Sequence, residues 1–334
     1  MDNNKYCAAL SVQSFPKDIK NMGNFFKFAV MILTSILTWA VVTLSSAFMR
    51  QSPDYEAPLE NQMLMGALVQ TTGETNRYWV EVTAEDYTGW VTEMSLQTLS
   101  DAEKDAYLEA AKWICIDEYA RIREQPSERS MPLCDFTMGD IVRKAGGWKN
   151  GWVEVLLPDG RKGWVLSHQV MDFRAWAESR SGLNTSDEVG RAFCAREITS
   201  LACSFVGTPY MWGGNSIKHF DCSGLVKFCY FMNGIILPRN GSQQIKTGQS
   251  VKDGEWQPGD LLFFGSKKPL KVTHVALYIG DGKIVHSSQK VRINTLTEYG
   301  REVVGATRVL GNVDCGKGIK SIVKSPYYFP QDGD

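Results

Sequence analysis

Two segments of the sequence share one pattern of short apolar strands and polar turns. The first reads NRYWVEVTAEDYTGWVTEMSL from Asn76, and the second reads KNGWVEVLLPDGRKGWVLSHQV from Lys149. Each contains a WVEV strand, a polar turn and a GWV strand, and each follows one more apolar strand candidate. Several short strands with turn residues between them predict a small β-barrel. The repetition predicts two copies of one fold.

Composition is that of an ordinary globular protein, with 43% hydrophobic and 22% charged residues. The length of 334 residues suggests two or three domains. The formal net charge of −1 provides no basic field, so we expect no nucleic-acid partner. The sequence contains no phosphate-binding glycine loop and no HExxH pattern.

The N-terminal part differs from the rest. Lys20 and Lys27 precede an uncharged apolar stretch that runs from Phe28 to Ala47 and ends in small residues. This pattern predicts a signal peptide cleaved after Ala47, with Met22 as an alternative start, and therefore an exported protein, periplasmic or secreted. A membrane anchor is the alternative, because the stretch is long enough to span a bilayer.

Eight cysteines are present, and seven of them follow the predicted signal peptide. An odd number leaves at least one thiol free in an oxidising compartment. There is no CxxC pair, so neither a zinc ribbon nor a redox motif is indicated.

Between the repeats, SDAEKDAYLEAAK begins with Ser100 and Glu103 in the spacing of a capping box, which predicts a short helix. A polar stretch, ESRSGLNTSDE, predicts a linker, and a helix is expected from about Asp187 to Ser204. The predicted organisation is a signal peptide at 1–47, a first barrel at 48–98, a helical linker at 99–112, a second barrel at 113–171, a linker at 172–186 and an α+β domain at 187–334.

The segment FDCSGLVKFCYFMNG, residues 220–234, predicts a helix that begins at Cys222. Asp221 is a suitable N-cap residue, and apolar residues including Cys229 follow at helical spacing. Unpaired N–H groups and the positive end of the helix dipole favour a thiolate in the first turn. We therefore expect a lowered pKa and a nucleophilic role for Cys222, and a core position for Cys229.

The segment VTHVALYIGDGKIVHSS predicts a β-hairpin that carries His274 and His286. A two-residue turn would place the two rings on opposite faces of the sheet. A three-residue turn at 280–282 instead sets His286 opposite Ala276, on the face of His274. We therefore predict a type I turn with Gly282 in a left-handed bulge.

Metal binding is the alternative use of one cysteine and two histidines. His219, close to Cys222 in sequence, would be a further ligand, but the set is unusual and no fourth ligand stands out. We expect no metal, and we interpret His219 as a loop residue and His168 as surface of the second barrel.

Four blocks, GTPYMWGGNSIKHFDCSGLV, LPRNGSQQ, WQPGDLLFF and THVALYIGDGKIVHSS, occur in the order seen in NlpC-type cysteine peptidases, which the chain resembles over 187–310. The resemblance implies a reduced papain-like α+β fold, cleavage of peptidoglycan stem peptides and no cofactor. It implies that Cys222 is the nucleophile, His274 the general base and His286 the residue that orients it. Tyr210 resembles the tyrosine near the oxyanion position.

The two barrels resemble bacterial SH3-like domains, and their combination with this third domain resembles the γ-D-glutamyl-L-diamino-acid endopeptidases. In that group the first barrel walls the active site and helps to bind the free amino terminus of the substrate. The resemblance implies that role for Tyr87 and Glu60. The substrate-binding residues implied beside the nucleophile and after LPR are Asp221, Ser223 and Ser242.

The implied protein is a monomeric enzyme that hydrolyses peptidoglycan stem peptides with a free N-terminal L-Ala during murein recycling. One alternative is an endopeptidase that acts on intact cell wall, with both barrels as wall anchors. Another is a non-catalytic wall-binding protein, against which the joint presence of Cys222, His274 and His286 argues. The sequence does not distinguish lysine from diaminopimelate, nor free fragments from polymer.

Overall fold

The first barrel is a seven-stranded sheet in a computed structural model that describes residues 38–183 and 187–331. Along the sheet the strand order is β3-β2-β6-β5-β4-β1-β7. The strands are β1 (Trp39–Val42), β2 (Ala47–Arg50), β3 (Leu59–Met63), β4 (Leu68–Asn76), β5 (Trp79–Ala84), β6 (Tyr87–Thr92) and β7 (Leu96–Leu99).

The second barrel repeats the first strand for strand. Its order is β10-β9-β13-β12-β11-β8-β14, so each position corresponds to the first barrel with seven added to the strand number. The predicted duplication of one barrel fold is confirmed. The strands are β8 (Lys112–Cys115), β9 (Tyr119–Arg123), β10 (Pro132–Thr137), β11 (Ile141–Lys149), β12 (Trp152–Leu156), β13 (Lys162–Leu166) and β14 (Val170–Asp172).

The predicted end of the signal peptide at Ala47 does not fit the first barrel, because β1 and the first residue of β2 lie before or at that point. Ala40 and Val42 belong to the barrel core, while Val41 packs on the helix that follows the barrel, and none of the three is more than 1% exposed. A strand buried on both faces is apolar throughout, so it resembles part of a signal peptide in sequence. Residues 1–37 of the predicted segment lie outside the described residues.

Helix α1 (Asp101–Glu109) joins the barrels and has the predicted capping box. The Glu103 N–H donates to Ser100 Oγ over 3.3 Å, and the Ser100 N–H donates to the Glu103 carboxylate over 2.8 Å. The stretch predicted as a linker at 172–186 instead contains helix α2 (Phe173–Leu183). Its residues Phe173 and Trp176 are buried in the core of the third domain, and this apolar spacing is the signal that the polar composition masked.

The third domain has an antiparallel sheet with the order β18-β23-β19-β20-β21-β22. The long helices pack on one face of this sheet, and the short helix at Leu296–Tyr299 packs on the other. Within its core, α4 carries the fully buried Cys229 against β20 and β21, as predicted for that residue. The helices are α3 (Glu188–Ser204), α4 (Cys222–Phe231), α5 (Gly241–Gln244) and α6 (Leu296–Tyr299). The strands are β15 (Asn215–Ser216), β16 (His219–Phe220), β17 (Ile235–Ile236), β18 (Gln249–Ser250), β19 (Leu261–Lys267), β20 (Leu270–Gly280), β21 (Lys283–Ser288), β22 (Lys290–Thr295), β23 (Val303–Arg308) and β24 (Lys320–Ser321).

The first barrel contacts the third domain close to the start of α4. The buried Gln62 side chain accepts from the Asn215 N–H and from the Ser216 hydroxyl, both over 2.9 Å. The Lys227 ammonium on α4 donates to the Glu85 carboxylate over 2.6 Å, and both side chains are largely buried. These contacts fix the barrel beside Cys222.

In the ranges 38–183 and 187–331, no helix is long and apolar enough to cross a membrane.

Candidate active site

Cys222 is the first residue of α4, as the sequence predicts. The Asp221 carboxylate caps the helix by accepting from the Gly224 N–H over 2.7 Å, and it also accepts from the Gly213 N–H over 3.0 Å. A Cβ atom at Gly224 would lie 1.9 Å from the Gly214 carbonyl oxygen, so only glycine permits this approach between loop and helix. The loop and the cap together fix where the thiol lies.

The hairpin of β20 and β21 brings both histidines to one face. Leu277 pairs with Val285 and Tyr278 with Ile284, a register that sets residue 286 opposite residue 276. The prediction that both rings share one side of the sheet is confirmed. His274 Nε2 lies 2.8 Å from His286 Nδ1.

The turn itself differs from the prediction. Gly280 pairs with Lys283, so the turn has two residues, with φ of 50° at Asp281 and 68° at Gly282. Positive φ at both positions defines a type I′ turn, for which Asp-Gly is a favoured pair. The predicted left-handed Gly282 is confirmed, but the predicted three-residue type I turn is wrong. Ile279 bulges from β20 and supplies the odd residue that keeps the two histidines on one face.

The Cys222 side chain is half-buried at the cleft, and the His274 imidazole is buried. Burial, and after it the Asp221 carboxylate, raises the pKa of the Cys222 thiol to about 11. The backbone N–H groups of Val275 and Ser223 lower this pKa, but by less. The predicted lowering of this pKa is wrong, because burial outweighs the helix start. Burial, and after it His286, lowers the pKa of His274 to about 3.

Both groups are therefore neutral at rest. Both side chains line the same cleft. A thiol and an imidazole that exchange a proton become charged together, so each charge would stabilise the other. The resulting thiolate is a nucleophile for a carbonyl carbon, and the imidazolium is a proton donor for a leaving group.

Arg239 joins the cap to the first barrel, and sequence analysis did not single it out. The side chain is 1% exposed. Its guanidinium donates to both carboxylate oxygens of Asp221, over 3.1 and 2.5 Å, and to Ser223 Oγ over 3.0 Å. It also donates to Asn61 Oδ1 of the first barrel over 2.7 Å. Asp221 and Ser223 were predicted to bind substrate, but Arg239 already uses part of their hydrogen-bonding capacity.

Glu60 of the first barrel reaches the cleft of Cys222. The Tyr87 hydroxyl donates to Glu60 Oε2 over 2.5 Å. Burial, and after it the hydrogen bond with Glu60, raises the pKa of Tyr87 to about 12, so this hydroxyl remains a donor at neutral pH. The structure brings together the two barrel residues that the family resemblance singled out, and Glu60 lines the cleft.

The cleft has a volume of about 320 Å³. Seven predicted residues line it, while His286 and Tyr87 lie one hydrogen bond behind its wall. Trp212 also lines the cleft and is 63% exposed. Sequence analysis did not name it, although its position in the YMWGG segment beside Tyr210 could have indicated a place in the site. The full lining is Glu60, Tyr210, Trp212, Asp221, Cys222, Ser223, Asn240, Gly241, Ser242, Val272, Thr273 and His274.

The other candidate features do not form a comparable site. A larger cavity of about 450 Å³ lies between α3 and β23, but neither cysteine nor histidine lines it. Across 38–183 and 187–331, no three histidine, cysteine, aspartate or glutamate side chains are grouped to hold a metal ion. His219 lies on β16 and His168 in a short 3₁₀ helix of the second barrel. The seven cysteines of the described ranges all carry free thiols.

A thiol at the start of a helix, packed on an antiparallel sheet that carries a histidine pair, defines a papain-like thiol hydrolase. Comparison with known families agrees with this class. Residues 207–308 match the NlpC/P60 family, residues 118–170 match the bacterial SH3 domain, and residues 49–96 match the bacterial dipeptidyl-peptidase Sh3 domain.

Relatives match most of the chain, and it belongs to the NlpC/P60 family of cysteine peptidases. A γ-D-glutamyl-L-lysine dipeptidyl-peptidase of Bacillus cereus is 30% identical over 276 residues, which cover 75% of each protein. Dipeptidyl-peptidase 6 of Lysinibacillus sphaericus is 29% identical over 78% of this chain and 92% of its own length. The crystal structure of an NlpC/P60 family protein from Bacillus cereus superimposes with a TM-score of 0.68 at 26% identity, covering 81% of this chain and 99% of that one.

Proposed function

We propose that the protein hydrolyses the γ-D-glutamyl–L-diamino acid bond of free peptidoglycan stem peptides, L-Ala-γ-D-Glu-L-Lys or its diaminopimelate equivalent, in the recycling of murein peptides. The choice of this bond rests on the relatives, which are named γ-D-glutamyl-L-lysine dipeptidyl-peptidases. The observation that supports the choice of free peptides is that Glu60 of the first barrel lines the cleft of Cys222 and accepts a hydrogen bond from Tyr87. In this proposal the two residues form the end wall of the cleft.

The reaction proceeds through an acyl-enzyme. His274 takes the proton of the Cys222 thiol, and the thiolate attacks the γ-carbonyl carbon of D-Glu. The N–H groups at the start of α4 stabilise the oxyanion. Burial, and after it the nearby Cys222, raises the pKa of Tyr210 to about 12, so its hydroxyl stays protonated and is a further donor. His274 returns the proton to the leaving amine, and water then hydrolyses the thioester.

Substrate recognition uses the end wall. The Glu60 carboxylate accepts from Tyr87 with one oxygen and has a second oxygen for the ammonium group of L-Ala. Such a contact is charge-assisted and stronger than a neutral hydrogen bond. A stem still attached to glycan through its amino end would have to pass through this wall. Ser242 and Trp212 lie in the cleft for the remainder of the peptide.

We place this activity outside the cytoplasm on the basis of the N-terminal apolar stretch. With β1 assigned to the barrel, the apolar residues from 28 to 38 remain, within the roughly 7–15 residues of signal-peptide cores.

Product analysis tests the proposal. L-Ala-γ-D-Glu-L-Lys should give L-Ala-D-Glu and L-Lys, whereas intact sacculi should release no products. Cys222→Ala should abolish turnover and His274→Ala should reduce it at least ~10²–10⁴-fold, while the control Cys229→Ala, in the core, should retain activity. Release of peptides from sacculi at the rate seen with free tripeptide would favour an endopeptidase of intact wall.

A further inference from the structure

The outer end of the histidine pair is held by an asparagine. His286 Nε2 lies 3.1 Å from Asn294 Oδ1. Asn294 is on β22, opposite Ile284 of β21, which places it one diagonal step from His286 on the same face of the sheet. His286 is fully buried, whereas Asn294 is half-buried at the edge of the site.

The Asn294 amide presents its oxygen to His286, since the atom that lies 3.1 Å from His286 Nε2 is Oδ1. On the next turn Glu298 caps α6, and the Thr295 N–H donates to the Glu298 carboxylate over 2.9 Å. The pKa of Glu298 is lowered first by that N–H, then by the Thr295 hydroxyl, and least by the Asn294 amide. A nearby carboxylate favours the donor end of an amide, which agrees with Oδ1 facing His286.

This orientation determines where the protons lie on both rings. Asn294 Oδ1 can only accept, so His286 Nε2 carries the proton, and a neutral imidazole then has a bare Nδ1. That Nδ1 accepts from His274 Nε2, which must be protonated in turn. The remaining nitrogen of His274, Nδ1, is bare and able to take the proton of the Cys222 thiol.

We propose that Asn294 is a positioning residue for the reaction of Cys222, because it fixes the tautomer of His286 and through it the tautomer of His274. The role in turnover rests on the proposed function. The assignment of tautomers rests on the geometry of the substrate-free site alone.

A neutral acceptor suits this position. The pKa of His286 is lowered by burial first and then by Arg292 and Arg301, against the contact with Asn294. The ring of Tyr299 covers His286 at 4.7 Å between centroids. In these surroundings an amide fixes the tautomer and leaves both rings neutral at rest, whereas a carboxylate would stabilise the imidazolium.

Nitrogen-15 NMR of histidine-labelled full chain, combined with kinetics on the free tripeptide, tests the assignment. The parent protein should show protonated Nε2 and bare Nδ1 on both His274 and His286. Asn294→Leu, which has similar volume and no acceptor, should populate a second His286 tautomer and lower kcat about tenfold with KM unchanged, as expected for one lost hydrogen bond. The neighbouring control Ile293→Ala, on the opposite face of β22, should change neither readout.

Asn294→Asp keeps the acceptor and adds charge. It should retain single tautomers and nearly full kcat, with the acid limb of kcat/KM moved to higher pH because the imidazolium is stabilised. This variant decides the question if Asn294→Leu does not fold. Unchanged tautomers and kcat in Asn294→Leu, or an unmoved pH limb in Asn294→Asp, would overturn the proposal. If the parent protein does not cleave the tripeptide, the proposed function fails, while the NMR pattern still tests Asn294.

Discussion

Replacement of Arg239 by methionine should destabilise the protein and disturb the start of α4. Methionine fills similar volume without a donor, so the Asp221 carboxylate would lose both of its bonds to the guanidinium and remain 7% exposed. Removing one partner of a buried ion pair costs about 3–5 kcal/mol. Asp221 keeps the N–H groups of Gly224 and Gly213, which favours the lower end of that range.

The bond from Arg239 to Asn61 adds about 1 kcal/mol, the usual worth of one hydrogen bond. We therefore expect a loss of about 4 kcal/mol in the free energy of unfolding, measured by urea denaturation followed by a probe of the third domain. Arg239→Lys keeps the charge but not the bidentate geometry, so an intermediate loss is expected.

The matched control is Arg161→Met in the second barrel, which breaks an exposed ion pair with Asp159. Such pairs contribute about 0–1 kcal/mol. A loss for Arg239→Met no larger than that of the control would refute the role given to Arg239. Arg239→Lys with the stability of the parent protein would refute the importance of bidentate geometry.

Three further predictions follow from single contacts. A chain that begins at Phe48 lacks β1 and should not fold its first barrel, whereas a chain that begins just before β1 should. Circular dichroism and limited proteolysis would measure the difference. Equal protease resistance of the two chains would contradict the assignment of β1 to the barrel. Gly224→Ala should abolish activity, because its Cβ would lie 1.9 Å from the Gly214 carbonyl oxygen; activity near that of the parent would contradict this. In His274→Ala, with the imidazole absent, the alkylation rate of Cys222 should rise only as the pH approaches about 11, since burial raises the pKa of this thiol; a midpoint below pH 8 would contradict the effect of burial.

Local patterns predicted the elements that depend on neighbouring residues. The capping box at Ser100 and the helix that begins at Cys222 involve residues within three or four positions, so sequence spacing was sufficient. The hairpin register was correct although its turn was not, because the histidine pair constrains the face and Ile279 supplies the bulge.

Features that depend on distant contacts were missed. β1 was taken for part of a signal peptide because a strand covered on both faces and a membrane segment are equally apolar. Arg239 and Asn294 act through partners on other elements. Arg239 lies in the LPRNGSQQ block, but nothing in that block indicates the contacts that it makes with Asp221 and Asn61. The raised pKa of Cys222 depends on burial by the whole domain, which the helix position alone does not indicate.

The central claim is that the first barrel makes the enzyme specific for a free amino terminus. The most direct test compares kcat/KM for L-Ala-γ-D-Glu-L-Lys with that for its N-acetyl form, in the parent protein, in Glu60→Gln and in the control Glu56→Gln, which is outside the cleft. A hydrogen bond to a charged group is worth about 1.5–3 kcal/mol, so the parent should prefer the free peptide roughly 10–100-fold. Glu60→Gln should raise KM for the free peptide and narrow that preference, and Glu56→Gln should leave it unchanged. Equal rates on the two peptides in the parent protein would contradict the claim.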